Sequence, residues 1–399
     1  MGGVMIIDQL LYQYNPWWEG GCQLGAVIER QAVLSQLYPL MKTPDIVMLT
    51  GLRRVGKTIT MKCLIKYLIE VKGVLPQHCF YISMDDYAVS KMTLAEVVDS
   101  YRRVMKVSIK QKIYVFLDEI TYIKDFQIQL KNFYDKGNTK CIVSSSSSSV
   151  LKDDSASLTG RKRIVEINPL DFEEFLIFKK INLSNSDGNL LDGYFTDYMQ
   201  IGGMPEYVLH GDREYLVNLI DDIIMKDIVA YHGIRNHQII RDFFMLLMER
   251  AGKQISINKV ANILKISPDT AKRYLSMFEE TYLIHLVPRH GKTNEVLLST
   301  KKVYATDIGM RNILVGFRDK GAIFENIVYM KIKGFKPKYL YESGQEIDFI
   351  FDKTLLEVKY NRDIQAKQKI FFEGYLIENK SVVKNHRDLK SFLEESGKG

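Results

Sequence analysis

One octapeptide constrains this chain more than any other segment: Gly51-Leu52-Arg53-Arg54-Val55-Gly56-Lys57-Thr58. It fits the spacing G-x-x-x-x-G-K-[ST], and its flanks supply the context that this spacing needs. Before it, Asp45–Thr50 (DIVMLT) is a short apolar run that reads as a buried strand. After it, Ile59, Met61, Leu64, Ile65, Leu68 and Ile69 recur at helical spacing over Thr58–Val71. A strand, a glycine-bearing turn and a helix in that order bring backbone N–H groups and a helix N-terminus to one point, which is a seat for phosphate. All eight residues are expected to line the triphosphate of ATP. Lys57 would bridge its β- and γ-phosphates, and the Thr58 hydroxyl would bind Mg²⁺.

Further apolar runs at Cys79–Ser83, Ile113–Leu117 and Cys141–Val143 predict an α/β domain with a parallel sheet flanked by helices. The run Ile113–Leu117 ends on Asp118-Glu119. Asp118 at that tip would hold Mg²⁺ through water, and Glu119 would orient and deprotonate the attacking water, because phosphoryl transfer is mostly positioning and charge stabilisation. Hydrolysis is therefore expected, not binding alone; the alternative for the acid pair is a helix N-terminus. Six serines, Ser144 to Ser149, follow the next strand. Ser144 is the candidate sensor of the γ-phosphate, a flexible loop being the alternative. Arg161, in Leu158-Thr-Gly-Arg161, is a candidate arginine finger toward a neighbouring subunit, against an exposed arginine with no special task.

The chain has 399 residues, 46% of them hydrophobic and 26% charged, which implies a soluble protein of more than one domain. No apolar run approaches the roughly 18 residues of a membrane span, and the N-terminus lacks a signal-peptide pattern, so no membrane contact and a cytoplasmic location are expected. Cys22, Cys63, Cys79 and Cys141 show no CxxC spacing, which indicates neither a disulfide framework nor a zinc site. Charge is uneven: residues 251–399 hold 26 Lys+Arg against 18 Asp+Glu, and residues 1–250 hold 29 against 30. A basic C-terminal stretch suggests a polyanion partner, against a solvated lysine-rich surface.

Within that stretch, Val260, Ala261, Ile263 and Leu264 form one helical stripe. Ser267 caps a second helix that starts at Pro268 and presents Asp269, Thr270, Lys272, Arg273 and Ser276 outward. With Leu283–Val287 and the turn Arg289-His-Gly-Lys292, this reads as a winged helix-turn-helix in which Lys272, Arg273, Arg289 and Lys292 contact DNA. A helical hairpin or a protein-binding winged helix is the alternative.

Near the C-terminus, Glu346-Ile-Asp348-Phe-Ile-Phe351 and Thr354-Leu-Leu-Glu357-Val-Lys359 are strands separated by two residues. A two-residue hairpin pairs 351 with 354, and so sets Asp348 opposite Glu357, with Lys359 on the same face. Opposed carboxylates need a cation between them. Mg²⁺ or Mn²⁺ would supply it, with Glu325 from the helical stretch Ala322–Lys333 as a further ligand and Lys359 polarising the attacking water. These residues form the PD-(D/E)xK nuclease signature; a solvated hairpin, or a nuclease fold without its chemistry, is the alternative.

As a set, several stretches resemble a largely archaeal prokaryotic family of AAA-type ATPases. They are Asn15-Pro-Trp-Trp18, Gly51–Thr58, Leu117-Asp-Glu-Ile120, Leu158-Thr-Gly-Arg161, Gly202-Gly-Met-Pro-Glu206, Tyr304-Ala-Thr-Asp-Ile-Gly309, Phe324-Glu-Asn326, Glu346-Ile-Asp-Phe349 and Glu357-Val-Lys359. The resemblance implies a P-loop domain followed by a winged helix and a restriction-endonuclease-like domain, ATP hydrolysis, and a finger role for Arg161. The family reads Thr-Gly-Ser where this chain has Ser144-Ser145-Ser146. The expected organisation is an ATPase domain over 1–170, a helical connector over 171–250, the winged helix over 251–295 and a mixed α/β nuclease-like domain over 296–399. The expected function is an ATPase that acts on duplex or branched DNA as a homo-oligomer, a ring included. A nucleotide-gated switch for a protein partner and an ATP-regulated nuclease are the rival readings.

Overall fold

The computed structural model describes residues 2–20, 25, 27–148, 158–183 and 187–397; Cys22 and Ser149 lie outside the described residues. The chain divides into two compact units, Met1–Asn168 and Pro169–Gly399.

In the first unit, five strands form one sheet: β1 (Ile46–Thr50), β2 (Cys79–Ser83), β3 (Ile113–Asp118), β4 (Thr139–Ser145) and β5 (Lys162–Glu166). Their order is β2-β3-β4-β1-β5, and every pairing is parallel. β1 is buried along its whole length, as a strand covered by helices on both faces must be. Register matters here. Thr50 pairs with Ser145, and Leu117 with Val143, so the carboxyl ends of β1, β4 and β3 lie side by side with the serine strand in the middle. The helix Lys57–Lys66 leaves β1 through the glycine turn, and a wider π-helical segment, Tyr67–Val71, continues it. On another side, the amphipathic helix Leu94–Met105 starts from a Thr93/Glu96 capping box. This is the P-loop NTPase fold.

The second unit begins with helices, among them Gly188–Ile201, Arg213–Asp222 and His237–Glu249. A three-stranded sheet follows, with β6 (Lys253–Ile255), β7 (Ile284–Val287) and β8 (Lys301–Ala305) in the order β6-β8-β7. Between β6 and β7 lie the helices Ile257–Leu264 and Pro268–Glu280. Ser267 caps the second by accepting the Thr270 N–H. Val260 and Ala261 are buried, but Ile263 is 59% exposed. At about 100° per residue it falls beyond the edge of the stripe centred on Val260, Ala261 and Leu264, which corrects its placement in the apolar face.

A four-stranded mixed sheet completes the unit: β9 (Lys338–Glu342), β10 (Gln345–Phe351), β11 (Thr354–Val358) and β12 (Asn379–Val383), in the order β12-β11-β10-β9. β10 and β11 pair Phe351 with Thr354 and Phe349 with Leu356, the register that the two-residue turn dictates. The helix Lys320–Ile332 carries Glu325. Among the described residues, no helix is long and apolar enough to cross a membrane.

Candidate active site

The glycine turn works through backbone conformation. Gly51 has φ +132°, and an ideal Cβ there would stand 2.2 Å from the Ile167 carbonyl oxygen, so no side chain fits. Gly56 has φ +101° and caps the helix Lys57–Lys66, and a Cβ there would meet nothing within 4 Å. The turn is thus tight on its sheet side and open at the helix N-terminus. Leu52 and Val55 are buried and anchor it, Arg53 is half-buried, and Arg54 is exposed at φ +64°. Lys57 is buried, and its Nζ donates to the carbonyls of Gly51 and Leu52, both at 3.0 Å. Arg30, which the sequence did not single out, donates to the carbonyls of Val55 at 3.1 Å and Asn168 at 2.8 Å and braces the turn.

Asp118 ends β3 beside this turn. Its Oδ2 accepts from Thr58 Oγ1 at 2.5 Å and from the Tyr81 hydroxyl at 2.8 Å, and its Oδ1 accepts from Ser144 Oγ. A hydroxyl and a carboxylate this close are hard oxygen donors at one point, and they fit Mg²⁺. Glu119 follows in the left-handed region at φ +51°. Its backbone N–H donates to Ser144 Oγ at 2.9 Å, and its carboxylate accepts from Ser146 Oγ at 3.1 and 2.9 Å. Ser144 therefore orients the acid pair, and Ser146 is the serine that reaches the Glu119 carboxylate. Arg161 sits 3.6 Å from Asp135, with its guanidinium over the Tyr134 ring at 5.7 Å.

Tyr81 and Ser146 are site residues that the sequence reading missed. Burial, reinforced by the Asp118 charge, raises the Tyr81 hydroxyl far above its ordinary pKa and keeps it a donor. The motif Asn15-Pro-Trp-Trp18 explains its placement. Asn15 accepts the Tyr81 N–H at 2.7 Å and donates to the Tyr81 carbonyl at 2.8 Å, in the manner of a strand neighbour. Trp17 and Trp18 both donate their indole N–H to the Cys79 carbonyl at 3.0 Å. Edge strand β2, and with it Tyr81, is held by a signal that was visible in the sequence without a role.

In the second unit, Glu325, Asp348, Glu357 and Lys359 come together, and so do two residues not foreseen, Lys302 and Glu346. Lys302 is 1% exposed, and its Nζ lies 3.0 Å from Glu325, 2.7 Å from Glu346 and 3.0 Å from Asp348. Lys359 pairs with Glu357. The ammonium of Lys302 thus lies among Glu325, Glu346 and Asp348, while the cation on Glu357 is Lys359. Among the described residues, no group of three or more His, Cys, Asp or Glu side chains is placed to hold a metal. Burial and the Asp348 charge raise the carboxyls of Glu325 and Glu357. Burial opposes the Lys302 charge, but Glu325, Tyr304, Asp348 and Glu346 outweigh it, so this lysine stays charged.

The expected DNA contacts are dispersed. Lys272 is exposed at 3.8 Å from Asp269, and Arg273 is exposed with its guanidinium 5.6 Å from the Tyr274 ring centroid. Arg289 donates to the Tyr341 carbonyl at 2.5 Å and lies 4.0 Å from Glu295, so it is directed into its own unit. Lys292 is exposed and precedes the helix Thr293–Leu298. Two other motifs interlock. Asp307 accepts from Gly203 N at 2.7 Å and Met310 N at 2.9 Å, and a Cβ on Gly309 would stand 1.9 Å from the Ile201 carbonyl oxygen. Burial raises the Asp307 carboxyl to about 6 against these bonds.

The first unit is an AAA-type P-loop ATPase domain: a family model described as AAA domain matches residues 43–176. A second model, Domain of unknown function (DUF8612), matches residues 192–321. The chain belongs to the family of AAA-domain proteins that includes uncharacterized protein MJ1544 of Methanocaldococcus jannaschii, with 30% identity over 80% of this chain and 77% of that one. An uncharacterized protein of Haemophilus influenzae is 26% identical over 82% of this chain and 85% of that one. The chain is also similar to the solved structure of the Aeropyrum pernix ORC2 protein, at 12% identity, 75% of this chain, 91% of that one and a TM-score of 0.37. At that score the likeness is weak.

Proposed function

We propose that the protein hydrolyses ATP and uses the cycle to move or remodel duplex or branched DNA. The observation that carries hydrolysis is the join between phosphate turn and acid pair: Thr58 Oγ1 lies 2.5 Å from Asp118, and Glu119 is held next door by Ser146. Lys57 would exchange its two neutral carbonyl partners for β- and γ-phosphate oxygens. Thr58 and Asp118 would hold Mg²⁺, which when bound neutralises charge on the transferred phosphoryl group. Ser144 fixes the carboxylate of Asp118 and the backbone of Glu119, and Tyr81 fixes Asp118 from the other side. Glu119 would take the proton of the attacking water. Arg161 is assigned to a neighbouring subunit's γ-phosphate, which makes the working form an oligomer such as a ring.

The DNA reading rests on the basic balance of residues 251–399 and on Lys272 and Arg273, exposed on the helix Pro268–Glu280, which we read as the second helix of a winged helix-turn-helix. Its test is ATP turnover against single-stranded, duplex and four-way DNA at stated salt, since phosphate contacts weaken steeply with salt. Stimulation by duplex or four-way DNA, abolished in Lys57→Ala, is the expected result.

A second reading, a nucleotide-gated switch for a protein partner, is favoured by one observation. A cleft of about 630 Å³ beside the same helix is lined by Leu275, Leu286, Leu297 and Leu298 as well as Lys272. Leu297 and Leu298 are 76% and 89% exposed. Turnover that ignores all three DNAs would support the switch.

A further inference from the structure

We propose that Lys302 is a built-in cation that occupies the place of a divalent ion in the C-terminal carboxylate cluster, so that this unit carries no metal-dependent nuclease chemistry.

Lys302 cannot step aside. It lies on β8, the middle strand of its sheet, and pairs with Gln254 on one side and Val287 on the other. Alternation along β8 puts Tyr304 on the same face, and its hydroxyl donates to Glu325 at 2.6 Å. Backbone pairing on both flanks fixes the strand face from which the side chain leaves, and three ion pairs hold the buried ammonium among the carboxylates.

Each of the carboxylates, in turn, already takes at least two protein donors. Glu346 takes Lys302 on Oε1 and Gln254 Nε2 on Oε2, the latter at 2.6 Å. Asp348 takes Lys302 on Oδ1 and the Val358 N–H on Oδ2, both at 3.0 Å. Glu357 takes Lys359 and Gln368 on Oε1 and the Asp348 N–H on Oε2. Glu325 takes Lys302 and Tyr304 on Oε1. Mg²⁺ or Mn²⁺ would need several of these oxygens at about 2.1 Å. On Glu325, Glu346 or Asp348 it would then stand against an ammonium bonded to the same carboxylates, with little water to screen two like charges. Of the opposed carboxylates, Asp348 takes its positive charge from Lys302, 46 residues away, and Glu357 takes its own from Lys359.

The test is Mn²⁺ binding to the full-length protein without nucleotide, followed by the electron paramagnetic resonance signal of free Mn²⁺. Wild type and Asp348→Asn are expected to bind the same number of ions. Lys302→Met is expected to gain one ion, and the double variant with Asp348→Asn to lose it. One ion more in wild type than in Asp348→Asn would overturn the proposal, as would Mn²⁺-dependent DNA cleavage that Asp348→Asn abolishes. A folded Lys302→Met that gains no ion would overturn the claim that the lysine holds an ion's place. Asp348→Asn keeps the side-chain shape, so the first comparison decides the matter even if Lys302→Met does not fold.

Discussion

Two buried lysines, one in each unit, are held by different kinds of partner. Lys57 rests on two neutral carbonyls of its own turn, Gly51 and Leu52. Lys302 is bonded to three carboxylates on two elements, Glu325 of the helix Lys320–Ile332 and Glu346 and Asp348 of β10. A neutral carbonyl is a weak partner for an ammonium, and a phosphate oxygen outcompetes it. A carboxylate in a dry site is a strong one, and nothing of like charge displaces the lysine from it. The same residue type thus marks a receptive site in the first unit and a closed one in the second. The described bonds of the two lysines differ in the charge of the partner, carbonyl in one and carboxylate in the other.

The largest expected effect that tests this contrast is on turnover. Glu119→Gln is expected to lower the steady-state rate of phosphate release by about 10²–10⁴-fold, the size of a lost general base, with nucleotide binding retained. An unchanged rate would break the receptive half of the comparison. Next is stability. Lys302→Ala leaves buried carboxylates unpaired and is expected to cost about 3–5 kcal/mol in urea unfolding. Lys57→Met removes two bonds to backbone carbonyls and is expected to cost less, about 1–2 kcal/mol. Equal costs would erase the distinction. The smallest effect sharpens it: Tyr81→Phe removes one hydrogen bond to Asp118 and is expected to lower kcat about five-fold, which corresponds to about 1 kcal/mol.

The legible parts of this molecule are those that neighbouring residues dictate. The glycine turn, the Ser267 cap and the β10–β11 register follow from spacing, because strand alternation and helix entry are local geometry. Tyr81, Ser146 and Lys302 were not legible, because each acts through space on a carboxylate from another strand or turn. Two signals were nevertheless present. Asn15-Pro-Trp-Trp18 sat in the sequence as a motif without a chemical role, and its role is to hold the strand that bears Tyr81. Lys302 lies two residues before Tyr304 and therefore on its face, just upstream of the Asp307 helix cap. A lysine alternating inward with a tyrosine calls for acidic company, and the hairpin already needed a cation.

The Asn15 side chain has one more consequence. By taking both backbone groups of Tyr81, with two indoles on the Cys79 carbonyl, it seals the outer rim of the parallel sheet at those positions. A second copy cannot dock there by strand augmentation. Ladder extension by another strand would have to start from a different edge, such as β5 at the opposite rim of the same sheet.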